Sequence, residues 1–317
     1  MDSSLKTGVS MVLLVPVVVV VTAGIFYIYT AILRLLNKTS LLNKVVLITN
    51  ALSALGTECA IHFHKAGARL ILCGKNWEKL EALAEQLTNE SDPTLQTFPP
   101  KLVELDFSDM ESMPEVVSDV LDCYGCLDIC IFNSSLKVKA PAQTLSLEMD
   151  KLIMDANYFG PITLVKGVLP SMMTRRSGHI ILVNSIQGKL AVPFRATYSA
   201  SKHAVQAFFD CLRAEVQEYG ISVTTLSHTF ITANRLLKQS TATKSVLPVL
   251  SRQKSHGVSP EEMATELLHT LSSRKKEVIM AHSVSKAAIY ARSFFPNFFF
   301  AVVAAGVNNA AAAEHVQ

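Results

Sequence analysis

The chain has 317 residues, half of them apolar and only 17% charged, which supplies a large core and excludes a disordered or solvating sequence. Its 29 basic and 26 acidic side chains are spread along the chain, with no long basic block to track a phosphate backbone, so nucleic acid is excluded as a partner class. The six cysteines lie mostly inside apolar runs and lack the loop-rich spacing of a disulfide-stapled domain, which fits a reducing compartment.

From Val9 to Leu33 no side chain is ionised, and a helix of that length, at about 1.5 Å per residue, crosses the hydrocarbon core of a bilayer. Pro16 and Gly24 are tolerated in membrane helices. Thr22-Ala23-Gly24 offers a signal-cleavage alternative, but the apolar stretch continues well past it, so residues 1–36 read as an uncleaved anchor. Arg34, Lys38 and Lys44 follow the segment, against Lys6 before it, so the expected topology has a luminal N-terminus and a cytosolic domain.

Beyond Arg34 to Asn43, short β-branched runs alternate with segments of helical period. The strands read as Val45 to Ile48, Leu70 to Leu72, Lys101 to Val103, Leu127 to Phe132, His179 to Val183, Ser222 to Leu226 and Val278 to Met280. The helices read as Leu55 to Lys65, Trp77 to Leu87, Met113 to Leu121, Glu148 to Met173, Tyr198 to Glu218 and Pro260 to Leu271. This order predicts a Rossmann-like, doubly wound α/β fold with a parallel sheet of about seven strands, occupying residues 40–290. Gly67, Gly178 and Gly220 stand where helix gives way to strand and are expected to be left-handed helix ends. Residues 291–317 form an apolar tail, too short to span, that either lies at a membrane interface or packs on the core.

The first strand runs through Thr49-Asn50-Ala51-Leu52-Ser53-Ala54-Leu55-Gly56 into a helix, which points backbone N–H groups and the positive helix end at a pyrophosphate site. Only Gly56 remains of three expected glycines; Asn50 tolerates the left-handed conformation, while Ala54 puts a methyl where backbone would approach phosphate. Downstream, Ser185 precedes Tyr198-Ser199-Ala200-Ser201-Lys202, and four-residue spacing sets Tyr198 and Lys202 on one helical face. A phenol is a poor base at neutral pH, and a neighbouring ammonium favours its ionised form. Cys123 and Cys126 have redox-motif spacing but precede a strand, and His62 and His64 point to different helix faces, so neither pair reads as a redox or zinc site.

These segments resemble the short-chain dehydrogenase/reductase family from about Asn43 to His282. Lys202-His203-Ala204, Asp122 to Cys126 and Phe294-Phe295-Pro296 are most similar to its membrane-anchored member 7 branch, in the C form. The resemblance implies an NAD- or NADP-dependent oxidoreductase. Tyr198 would be the general acid/base, Ser185 would orient the substrate oxygen, and Lys202 would hold the nicotinamide ribose and favour the phenolate. Asn157 would support a proton-relay water. Thr49, Asn50, Ser53, Leu55 and Gly56 would cradle the cofactor with Asn133, and Asp106 would contact adenine. Lys75, in Cys73-Gly74-Lys75-Asn76 where no acid is available for ribose hydroxyls, gives a lean toward NADP. The expected substrate is a lipophilic alcohol or carbonyl, retinol-like or steroid-like, at the endoplasmic or sarcoplasmic reticulum membrane; homo-oligomerisation is left open. Phe132-Asn133-Ser134-Ser135 and His228-Thr229 depart from the family's Asn-Asn-Ala-Gly and Pro-Gly. They leave two rivals: an inactive membrane-bound scaffold or cofactor sensor, and a secreted protein with a cleaved signal.

Overall fold

The computed structural model describes residues 17, 18, 20–29, 41–90, 96–229, 231 and 257–314. Seven strands form one parallel sheet in the order β3-β2-β1-β4-β5-β6-β7: β1 Val45–Ile48, β2 Arg69–Gly74, β3 Lys101–Glu104, β4 Ile129–Phe132, β5 Gly178–Ser185, β6 Ile221–His228 and β7 Glu277–Met280. Six longer helices cover it: α1 Ala54–Lys65, α2 Trp77–Asn89, α3 Met113–Tyr124, α4 Leu147–Met154 leading into α5 Gly160–Arg175, and α6 Ala196–Glu215; α7 Pro260–Ser273 completes the cover. Strands with every residue buried, such as Val45–Ile48 and Ile129–Phe132, can have no polar face, which is why they need helices on both sides.

Two apolar clusters follow. Leu47, Cys130, Ile180 and Val223 pack with Val116, Leu164 and Phe209 from α3, α5 and α6 on one face. Ile48, Leu72, Ile131 and Ile181 pack with Leu55, Leu80 and Leu267 from α1, α2 and α7 on the other. Local caps set the helix starts: Ser53 Oγ accepts from Gly56 N, Asn76 Oδ1 accepts from Lys79 N, and Ser259 with Glu262 forms a reciprocal capping box on α7.

The structure departs from the sequence pattern in two places. The expected helix from Glu148 to Met173 is interrupted by a π-turn, Asp155–Phe159, just before Gly160-Pro161, where a proline lacking N–H cannot continue the normal ladder. Gly178 opens β5 without a left-handed φ; the left-handed end of α5 is Arg176, and the space at Gly178 is filled by Met172 Sδ, 2.6 Å from where a Cβ would stand. Gly67 and Gly220 do adopt positive φ.

The tail forms α8 Ser283–Phe294 and α9 Pro296–Glu314, and none of its described side chains is buried. Residues 17, 18 and 20–29 are helical and exposed, while the rest of the expected 1–36 segment, and most of Ile231 to Val258, lie outside the described residues. Among the described residues no helix is long and apolar enough to cross a membrane.

Candidate active site

In a parallel sheet whose strand order reverses between β1 and β4, the loops leaving those strands diverge and open a crevice at the carboxyl edge. The chain uses side chains to hold that crevice. Asn133 N donates to Thr49 Oγ1 at 2.9 Å and Asn133 Nδ2 to Ser53 Oγ at 2.8 Å, fixing the loop after β4 to the loop after β1. Thr49, Ser53 and Asn133, all expected to touch cofactor, therefore spend these groups on framing the crevice. Asn50 adopts φ 49°, the left-handed conformation expected for it, and Gly56 is demanded by close approach: a Cβ there would lie 2.4 Å from Asn50 O. Leu55 is buried behind the turn, and exposed Ala54 faces outward.

The resulting cleft, about 420 Å³, runs from Asn50 and Leu52 past Lys75 and Asp106 to Ser134 and Ser135. At its outer end Lys75 Nζ lies 2.7 Å from Asp106 Oδ1, and Ser108 N also donates to that oxygen at 2.8 Å. Burial acts to raise the Asp106 pKa, but Lys75 and Ser108 outweigh it and hold the carboxyl below the usual carboxylate range. Asp106 and Lys75, assigned from sequence to adenine and to a 2′-phosphate, thus hold each other in this structure. The pair is well exposed, so it is worth about 0–1 kcal/mol and is readily exchanged for a ligand.

The inner end carries the chemistry-bearing groups. Tyr198 is buried in the first turn of α6, and its Oη is 3.2 Å from Ser135 Oγ. Lys202 is one turn on, with Nζ 5.9 Å from the Tyr198 ring centroid and donating to Ser134 O at 2.8 Å. Burial, with a contribution from Lys137, lowers the Lys202 pKa to about 7. Ser185 ends β5, and its Oγ accepts from Gln187 N at 3.1 Å. His228, in register beside Ser185, is buried and held to a pKa of about 4 by burial and then by Lys137 and Lys202, so its imidazole is neutral at physiological pH. Asn157 sits in the π-turn; its Oδ1 accepts from Leu136 N at 2.7 Å and its Nδ2 donates to Leu136 O and Ser201 Oγ. Its side chain holds the Ser134–Leu136 segment that receives Lys202.

Sequence reasoning missed two groups. Ser135 was read only as a lost glycine, yet it brings a hydroxyl onto Tyr198. Asn184 carried no recognised motif, but its Oδ1 accepts from Ser185 N while its Nδ2 donates to Lys202 O and Gln206 Oε1, which ties the serine strand to the lysine helix. The signal available was a carboxamide on an otherwise apolar strand, Ile180 to Val183, next to Ser185. A separate cavity of about 240 Å³ reaches Tyr198, lined by Val138, Leu145, Ile153 and Phe194 together with Arg195.

A short chain dehydrogenase family profile matches residues 44–244. The chain belongs to the short-chain dehydrogenase/reductase family. Within this family of NAD(P)-dependent oxidoreductases, it is 65% identical over 312 residues to dehydrogenase/reductase SDR family member 7C-B of Danio rerio, covering 98% of both chains. It is 54% identical over 301 residues to member 7C of Homo sapiens, covering 95% of this chain and 96% of that one. Member 7B of Bos taurus is 40% identical over 292 residues, covering 92% and 90%. The likeness to the C form of the member 7 branch therefore extends along nearly the whole chain. Among solved structures, a metagenomic short-chain oxidoreductase in complex with NADP superposes with TM-score 0.61 at 20% identity, covering 76% of this chain and 98% of that one. An actinorhodin polyketide ketoreductase with NADPH gives 0.65 at 22%, covering 77% and 97%. At those identities the superpositions establish the fold alone. The dinucleotide expected of the family fits the crevice on this chain's own geometry, since Gly56 has no room for a Cβ under the Asn50 turn and the cleft beside it leads to Tyr198's neighbour Ser135.

Proposed function

We propose that the protein interconverts a lipophilic alcohol, retinol-like or steroid-like, and its carbonyl, with NADP favoured over NAD. The observation that carries this reading is Tyr198 held between the dinucleotide cleft and a second cavity where Val138, Leu145, Ile153 and Phe194 stand beside Asp150 and Arg195, with Lys202 one helical turn away. When bound, the nicotinamide supplies or accepts the hydride. Tyr198 gives its phenolic proton to the substrate oxygen during reduction and takes it back during oxidation. Ser185 steadies that oxygen with its hydroxyl. Lys202 uses one N–H on Ser134 O and has others for ribose hydroxyls, while its charged form favours the phenolate. Asn157 and Asn184 act through the segments they hold.

Tyr198→Phe tests the assignment: turnover is expected to fall about 10²–10⁴-fold with cofactor affinity nearly unchanged. Normal turnover by the variant would remove Tyr198 from the mechanism. A wild type that binds cofactor but turns over no member of an alcohol and carbonyl panel would favour the scaffold reading.

The same proposal places the protein at the endoplasmic or sarcoplasmic reticulum membrane, with residues 1–36 as anchor and residues 40–290 as a cytosolic catalytic domain. The uncharged run from Val9 to Leu33, followed by Arg34, Lys38 and Lys44, supports it. Protease added to intact microsomes should digest the catalytic domain and find Asn89 without a glycan; a protected, glycosylated domain would reverse the orientation.

A further inference from the structure

The oxidoreductase scheme gives no role to α8 and α9. Five of their aromatic side chains are turned to solvent: Tyr290 is 64% exposed, Phe294 72%, Phe295 67%, Phe298 68% and Phe300 54%. The two helices meet through the Phe295 joint, where Phe295 N donates to Ala291 O and Phe299 N to Phe295 O. A cluster of aromatics this exposed marks an interaction surface rather than scattered surface apolar residues.

Charge identifies the occupant. Between Glu277 and Glu314 there is no acidic residue, while α8 carries Lys286 and Arg292, both exposed and without an ion pair among the described residues. The 232–256 segment of this chain would meet them as like charge, since it contains Arg235, Lys238, Lys244, Arg252 and Lys254 and no acid. A second copy related by a two-fold axis would bring the same cationic helix against itself. An anionic bilayer surface suits both features, because aromatic rings settle at the headgroup boundary and cations sit at lipid phosphates.

We propose that α8–α9 is a membrane-contacting element, separate from the N-terminal segment, that lies in the interface of an anionic bilayer with Phe294, Phe295 and Phe298 immersed and Lys286 and Arg292 at the headgroups. The fold gives this contact a consequence. Ser185, His228 and Met280 lie side by side in the strand register, and α8 begins three residues after Met280. The bilayer is thereby brought to the sheet edge that carries Ser185, so a membrane-dissolved substrate could reach the site from the lipid; that consequence, unlike the contact itself, rests on the proposed substrate class.

The test uses the full chain reconstituted in phosphatidylcholine vesicles with and without phosphatidylserine. Trp77 is the chain's one tryptophan and lies on exposed α2, so Trp77→Phe/Phe298→Trp moves the fluorophore to α9. Acyl chains brominated near the headgroup should quench position 298 several-fold in the anionic vesicles and leave wild-type Trp77 unquenched. Adding Lys286→Glu and Arg292→Glu should largely abolish that quenching. An unquenched position 298, quenching indifferent to phosphatidylserine and to the charge reversals, or shielding that appears only with cross-linked dimers would overturn the proposal. Alkaline carbonate extraction of the wild type reports separately on the N-terminal segment, so failure of the anchor is distinguishable from failure of this contact.

Discussion

Replacing Gly56 by alanine tests whether the altered glycine loop still forms a working cradle. The added Cβ would stand 2.4 Å from Asn50 O, 2.7 Å from Ala51 Cα and 2.8 Å from Ala51 O, all backbone atoms that no side-chain rotation can clear. Relief needs the Asn50–Ala51 turn to move by about 1 Å, judged against an ordinary carbon–oxygen contact of roughly 3.4 Å. That turn is held by Ala51 N on Cys73 O at 2.8 Å and, through its neighbours, by both Asn133 bonds, so the shift strains at least one of them. Overpacking of this kind costs about 1–3 kcal/mol. For a domain of this size that lowers Tm by about 2–12 °C, at roughly 2–4 °C per kcal/mol. If half of the cost falls on the cofactor-binding conformation, the NADP dissociation constant rises about three- to tenfold, since 1.4 kcal/mol is a factor of ten. Thermal unfolding and cofactor titration of Gly56→Ala measure both quantities. Ala54→Gly is the control, because Ala54 is exposed in the same loop and removing its methyl crowds no backbone atom; it should bind cofactor at least as tightly as wild type. Unchanged Tm and affinity in Gly56→Ala would refute the reasoning, as would an Ala54→Gly variant that binds as poorly as Gly56→Ala.

Two further outcomes follow from the electrostatics. Lys202 has a folded pKa of about 7, below the ordinary lysine value, so between pH 7 and the unfolded lysine pKa near 10.4 the unfolded chain binds the extra proton and stability rises with pH. Denaturant melts of Lys202→Met at pH 6 and pH 9 should therefore find the variant's advantage over wild type largest at pH 6, where the buried charge is fully present, and smaller at pH 9; a pH-independent difference would show that Lys202 is not the titrating group. Lys75→Ala breaks an exposed pair with Asp106 and a long, exposed bond to Ser108 Oγ, and should leave stability within about 1 kcal/mol of wild type. Isothermal titration should find its NADP affinity reduced about 10–100-fold, the worth of a charge-assisted bond, with NAD affinity little changed; an unaltered NADP preference would remove Lys75 from recognition.

The sheet was legible because its inner strands, such as β1 and β4, are short β-branched runs buried on both faces, a pattern solvent-facing strands cannot adopt, and because segments of helical period alternate with them. The break after Met154 was less so, since the helical period continues through Ile153, Ala156, Asn157 and Gly160; Pro161 shows where the ladder is lost, and the packing of Gly160 on Phe107 appears only in the fold. At the site, spacing was enough to group Tyr198 and Lys202 on one helical face. The partners of Asn133, Asn157 and Lys75 were not readable, because each is a hydrogen bond to a group 21 to 84 positions away. Local sequence carries the type of group; only the fold says which groups it meets.

The contact between Ser135 and Tyr198 bears on how a substrate could be held at all. The phenolic oxygen that is proposed to receive the substrate already has a partner 3.2 Å away, so an arriving carbonyl exchanges one neutral hydrogen bond for another and gains little affinity from it. An oxygen that is acquiring negative charge is a stronger acceptor than the serine hydroxyl, and it alone gains from the exchange. Ser135 thus acts as a resident competitor that discounts ground-state polar binding while leaving transition-state binding nearly whole. On the proposed reading, recognition is left to the rest of the cavity wall, Val138, Leu145, Ile153 and Phe194 with Asp150 and Arg195, and ligands that match it without a reducible group should bind almost as well as substrates.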